Sequence, residues 1–177
     1  SSTPLTLAET ASVFGEMLTF KSLLSITTKE NERKGLLANK VEDMLNTVVR
    51  QIAFFEFEKH IHDQRKMKEL SVNEICEIWI NVQKKSLGPS IKFNDDYKYF
   101  WSYIPHFIHS PFYVYAYAFG DCLVNSLFNV YENKLPKFED KYINLLESGG
   151  SNTYDMLLKP FGLNPKKKDF WQKGVNV

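Results

Sequence analysis

Ser71-Val72-Asn73-Glu74-Ile75-Cys76-Glu77-Ile78-Trp79-Ile80-Asn81-Val82, closed further on by Gly88-Pro89, spells out a helix with both of its ends. The Ser71 hydroxyl and the Glu74 carboxylate stand three residues apart. Each can satisfy a backbone amide that the first helical turn leaves without a carbonyl partner. Ile75, Ile78, Trp79 and Val82 then recur at three- to four-residue spacing, the period of one helix face. Glycine followed by proline stops such a run, since glycine takes the left-handed cap and proline offers no amide to continue.

The same grammar repeats in both directions. Upstream, the segment from about Lys29 to Leu70 reads as one long helix, with Leu37, Val41, Leu45, Val48, Ile52 and Phe55 as its apolar stripe. Before it, Thr3-Pro4 reads as a cap with proline in the first turn. Leu7, Ala11, Phe14 and Leu18 follow at helical spacing, widened by Val13, Met17, Phe20 and Leu24. Downstream, residues 88–104 look irregular, and Pro105 and Pro111 bracket a tight stretch ahead of a helix from about Phe112 to Asn133. A shorter helix after Pro136 ends at Ser148-Gly149-Gly150, Ser151 can cap another, and Asp169 to Lys173 reads as a last helical turn. No run alternates as a strand would, so the expected fold is all-α, with residues 1–177 as a single unit.

Composition agrees. Eight glycines and seven prolines in 177 residues fall below the usual share of about 12%, and sparse breakers favour long helices. With 44% hydrophobic residues the chain can bury a substantial core. Its 22 basic and 21 acidic residues nearly cancel, which argues against nucleic acid or a charged membrane surface as partner. No apolar run approaches the roughly 18 residues of a membrane span. Cys76 and Cys122 are too few for a disulfide framework and read as buried thiols, so a reduced, cytoplasmic setting is expected.

Chemistry gathers in two places. Glu9, Ser12 and Glu16 stand at i, i+3 and i+7 and project from one helix face beside the apolar stripe. Carboxylates at the edge of a core need a metal, an Arg or a His; two solvated glutamates need nothing. The second place runs from Tyr103 to Tyr117 and holds two histidines and four tyrosines in fifteen residues. Neutral imidazole and phenol can bind a metal or donate to a developing oxyanion, and His106 and His109 could pair at i, i+3. Core aromatics with their polar tips at the surface would give the same pattern. His60 and His62, four residues after Glu56 and Glu58, read as helix-face charge pairs, and Lys166-Lys167-Lys168 as a solvated turn.

Ala8-Glu9-Thr10-Ala11-Ser12-Val13-Phe14-Gly15-Glu16-Met17 carries a family resemblance. So do Tyr103-Ile104-Pro105-His106-Phe107, Pro111-Phe112-Tyr113-Val114-Tyr115-Ala116-Tyr117-Ala118-Phe119-Gly120, Gly149-Gly150-Ser151 and Pro160-Phe161-Gly162-Leu163. Together they resemble oligoendopeptidase F, of the thimet-oligopeptidase-like zinc metallopeptidases. The resemblance implies an all-helical, zinc-dependent endopeptidase acting on oligopeptides. It implies Glu9 as the third protein ligand of the Zn2+ and Glu16 as the support of a metal-binding His. It implies His106, Tyr115, Tyr117 and, after them, Tyr113 as catalytic donors, His109 as a substrate contact, and Gly120 as a site of close helix packing. The family's His-Glu-x-x-His is missing: the four histidines are His60, His62, His106 and His109, and none has that spacing. The resemblance therefore implies the C-terminal part of a catalytic domain, starting after the zinc-binding helix, inactive alone, with the rest of the same protein as its partner. The alternative is a non-catalytic helical module that binds a peptide or partner.

Overall fold

The computed structural model describes residues 9–175, and among them every regular element is helical. They are α1 (Thr10–Ile26), α2 (Glu30–Met44), a π-helical turn (Leu45–Val49), α3 (Arg50–Arg65), α4 (Val72–Leu87), a 3-10 helix (Asp95–Tyr103) and α5 (His106–His109). Then come α6 (Tyr115–Glu132), α7 (Phe138–Ser148), α8 (Tyr154–Leu158), a 3-10 turn (Lys159–Phe161) and α9 (Lys168–Val175). The expected Thr3-Pro4 cap and Leu7 lie outside the described residues. Among those described, no helix is long and apolar enough to cross a membrane. The chain divides into two compact units: Leu45–Ala118, and Ser1–Met44 together with Phe119–Val177.

The Leu45–Ala118 unit is organised by Trp79. Its side chain is wholly buried, with the rings of Phe57 at 5.2 Å and Phe54 at 5.5 Å. The indole N–H donates to the Tyr97 carbonyl at 3.0 Å, so burial leaves no polar atom orphaned. The expected capping box is present: the Glu74 amide donates to Ser71 Oγ at 3.3 Å, and the Ser71 amide donates to Glu74 Oε2 at 2.8 Å. Gly88, at φ 75, closes α4.

Two expectations change in this unit. Residues 95–103, read as irregular, form a 3-10 helix capped by the Asn94 side chain, which accepts from the Tyr97 amide at 3.0 Å. In a three-residue period, i and i+3 eclipse. Tyr97, Phe100 and Tyr103 accordingly stack in series at 5.3 and 5.4 Å, which explains both the aromatics and the element. The long helix of Lys29–Leu70 is also interrupted. The π turn adds a residue to the register ahead of α3, which buries Ala53, Phe54, Phe57 and Glu58 and leaves Ile52 of the expected stripe exposed. Leu45 in the turn itself, and Leu37 and Val41 in α2 before it, are exposed too.

In the other unit α1 presents Thr10, Phe14 and Met17 to the core. Phe14 meets Tyr142 at 4.6 Å, Phe128 at 5.7 Å and Phe138 at 5.8 Å. Leu123, Val124 and Leu127 of α6, Leu158 of α8 and Phe170 of α9 complete it. The Tyr142 hydroxyl donates to the Thr10 carbonyl at 3.2 Å, and Ser126 Oγ donates to the Phe170 carbonyl at 2.8 Å. Both cysteines are free and buried, and burial raises the Cys122 thiol to about 11. Ser151 does not cap α8; Thr153 occupies that position. Gly120 is no close-packing glycine either, since a Cβ there would meet nothing within 4 Å. Gly174 is one: a Cβ would stand 2.7 Å from the Cys122 carbonyl oxygen.

Glu58 holds the segment that matters most for the site. It is 2% exposed, and its Oε1 accepts from the Phe112 amide at 2.8 Å across 54 residues of chain. Phe112 sits at φ 59, in a turn closed by the Tyr113 amide donating to the Ser110 carbonyl at 3.2 Å. The expected Glu58–His62 pair does not form, because the carboxylate is turned into the core; the His62 ring instead lies 4.8 Å from that of Phe112.

Burial pushes the Glu58 carboxyl above its ordinary 4.5, and the Phe112 amide offsets part of the rise. A raised acid favours the protonated fold. Its contribution is therefore fully present below 4.5 and is lost as pH rises through the folded-state value. Glu58→Gln keeps the acceptor without the charge, so urea midpoints from pH 4 to 7.5 should show its advantage over the native chain growing toward neutral pH. Glu58→Ala, which orphans the Phe112 amide, should cost about 1–3 kcal/mol. Gly174→Ala should also cost about 1–3 kcal/mol through overpacking. Gly120→Ala should gain up to about 1 kcal/mol from helix propensity, both read by thermal unfolding.

Candidate functional site

Pro105 opens α5 and sets His106 at its first position, and the Pro111-Phe112 turn then carries the chain back into α6. This path brings three of the expected residues into one group. The ring centroids of His106, Tyr113 and Tyr117 form a triangle: His106–Tyr113 5.5 Å, His106–Tyr117 5.8 Å and Tyr113–Tyr117 5.3 Å. The Tyr117 hydroxyl and His106 Nε2 share a hydrogen bond of 3.3 Å. All three side chains are half-buried. Tyr117 lies in the first turn of α6, and Tyr113 stands just ahead of that helix.

Tyr115 lies elsewhere. Two residues from each of its neighbours, it faces roughly the opposite way, is 41% exposed and sets its edge on Phe55 at 6.0 Å. His109, at the last position of α5, is exposed. Of the tyrosines expected to donate, Tyr117 and Tyr113 stand beside the imidazole and Tyr115 does not.

A cleft of about 390 Å³ opens beside this group, within the Leu45–Ala118 unit. His106 and Tyr117 line it with Tyr103, Ile104 and Pro105. The π turn supplies Asn46 and Thr47, and α3 supplies Arg50, Gln51 and Phe54. Arg50 is not singled out by sequence, and Glu58 is read there only as a charge partner of His62. The signal for Glu58 was its place four residues after Phe54, on the face α3 buries; for Arg50 no pattern in the sequence distinguishes it.

Glu9 and Glu16 belong to the other unit. Glu9 is the residue before the first turn of α1, and Ser12 Oγ lies 3.1 Å from both its Oε2 and its carbonyl oxygen. Both glutamates are exposed rather than at a core edge, because α1 buries the face of Thr10, Phe14 and Met17 instead. A catalytic zinc takes three protein ligands and leaves a fourth position open. Among the described residues no three His, Cys, Asp or Glu side chains are gathered to hold a metal.

Comparison with known proteins assigns the chain. Peptidase family M3 matches over residues 1–177. An oligoendopeptidase F homolog of Borreliella burgdorferi is 36% identical over 172 residues, which are 96% of this chain and 29% of that protein. The plasmid oligoendopeptidase F of Lactococcus lactis subsp. cremoris is 29% identical over 94% of the chain and 28% of its own length. A crystal structure from Chlamydophila abortus superposes with a TM-score of 0.88 at 30% identity, covering 99% of this chain and 29% of that one. Oligoendopeptidase-F from Enterococcus faecium shares the fold, with a TM-score of 0.87 at 24% identity, over 97% of this chain and 33% of its own. The chain thus spans under a third of the curated relatives it matches. It belongs to peptidase family M3, with the oligoendopeptidase F proteins and over their C-terminal region.

Proposed function

We propose that the full-length protein is a zinc-dependent endopeptidase of the cytoplasm that hydrolyses short oligopeptides, and that this chain is the C-terminal part of its catalytic domain. The observation that carries this reading is the 3.3 Å bond between the Tyr117 hydroxyl and His106 Nε2 at the wall of a cleft, in a member of a peptidase family.

Hydrolysis of a peptide bond moves charge onto the carbonyl oxygen as water adds to the carbon. A donor already aimed at that oxygen lowers the barrier, because it needs no reorganisation as the charge grows. Tyr117 is that donor, with the His106 Nε2–H donating to its oxygen so that the hydroxyl proton stays available to the substrate, and the Tyr113 ring packs against both and limits their rotation. His109 contacts the peptide beyond them. Glu9 is one ligand of the zinc and Glu16 supports a metal-binding His; the remaining ligands and the general base come from a His-Glu-x-x-His helix elsewhere in the full-length protein, the partner of this chain.

The intact protein should cleave a quenched fluorescent oligopeptide, lose that activity to a chelator and regain it with zinc, while the 177-residue chain alone leaves the peptide whole. Cleavage by the chain alone, or cleavage indifferent to the chelator, would overturn the reading. Binding without cleavage would point to a helical binding module. Glu9→Gln should lower bound zinc and activity with helix content unchanged. Tyr117→Phe should retain zinc and lower kcat roughly ten- to a thousandfold; Tyr115→Phe should lose less, given where its ring lies.

A further inference from the structure

Arg50 is the sole charged side chain among the described residues lining the cleft that holds His106 and Tyr117. Its guanidinium carbon lies 5.3 Å from the centroid of the Phe54 ring, a contact that seats the flat cation against an apolar wall. It is half-buried, and no carboxylate among the described residues pairs with it. A partly buried guanidinium usually answers an anion, most strongly a carboxylate that its planar fork can grip with two parallel hydrogen bonds.

The rest of the wall narrows the choice. Asn46 and Thr47 come from the π turn, and Gln51 follows Arg50 in α3, so neutral amide and hydroxyl groups flank the cation. Such groups match the amides and carbonyls of a peptide backbone. π turns of this kind often mark functional positions, since the displaced register presents side chains that a regular helix would space differently. The cleft, at about 390 Å³, is at the small end of ligand sites and takes the end of a peptide rather than a folded chain.

We propose that Arg50 binds the C-terminal carboxylate of the oligopeptide substrate, so that the cleft reads the free end of the chain while His106 and Tyr117 face the bond to be cut. The proposal rests on the peptidase reading and adds a determinant of specificity to it. A terminal carboxylate is the one anion that every oligopeptide carries and that a folded protein rarely offers to a cleft. Arg50 would thus select for substrate length without reading any side chain.

The test uses the intact protein and one peptide made with a free C-terminal acid and with a C-terminal amide. A second amidated pair differs only in carrying Glu or Gln near its C-terminus. The native enzyme should favour the acid over the amide by roughly ten- to a hundredfold in KM, the worth of a charge-assisted bidentate contact, with kcat little altered. Arg50→Met should collapse that ratio toward one, and Arg50→Lys should restore only part of it, because an ammonium lacks the planar fork. Equal KM values for acid and amide in the native enzyme, or a ratio that survives in Arg50→Met, overturn the proposal. So does an Arg50-dependent preference for Glu over Gln in the amidated pair, which assigns the cation to a side chain instead. If no peptide is cut, the peptidase reading falls, and the same acid and amide peptides, fluorescently labelled, are titrated by anisotropy. A tenfold or larger loss of acid binding in Arg50→Met sustains the carboxylate site, and equal binding removes it.

Discussion

Between α5 and α6 the chain must reverse within a few residues, and it does so by placing Phe112 at φ 59, a conformation that residues with a side chain rarely take. Holding a non-glycine residue there costs on the order of 1–3 kcal/mol. The amide of that same residue donates to the buried Glu58 carboxylate, and a hydrogen bond to a charged acceptor contributes about as much. The two effects meet in one residue. Pro111 restricts the turn from one side and Glu58 fixes it from the other, so that Tyr113 leaves the turn beside His106 and α6 begins in the register that sets Tyr117 against both.

A buried carboxylate in that place is expensive, and its Oε2 has no hydrogen-bond partner. A neutral amide could accept from Phe112 with less desolvation. What the carboxylate does contribute is a stronger acceptor at the one amide whose position decides the geometry of the aromatic group. The same helix also serves the cleft. The π turn before α3 rotates Phe54, Phe57 and Glu58 inward, while Asn46, Thr47 and Arg50 line the cavity. Core, turn and cleft are set together by one added residue in a helix.

The site in this unit is built from aromatic and imidazole rings beside a single guanidinium, and Glu9 and Glu16 stand exposed in the other unit. The chain itself spans under a third of the length of the curated relatives it matches.

Much of the fold was legible before any coordinates. The Ser71–Glu74 box, the Gly88 and Gly149 stops and the spacing of Phe14 and Met17 all depend on interactions within one or two turns, so the order of residues alone determines them. The aromatic group around His106 was legible in part, because the sequence sets Tyr113 and Tyr117 four residues apart; which tyrosines meet the imidazole was not, and Tyr115 lies on the other side. Periodicity failed after the π turn displaced its origin, so Ile52 of the expected stripe is exposed; Leu37 and Val41, ahead of that turn in a helix that buries no residue, are exposed as well. Composition and spacing thus determined helices, caps and the residue types available for chemistry. Tertiary structure alone decided that Glu58 reaches Phe112 and that Arg50 shares a cleft with His106. Those partners are far apart in sequence, and no local pattern records a contact whose free energy is gained only when the chain has closed on itself.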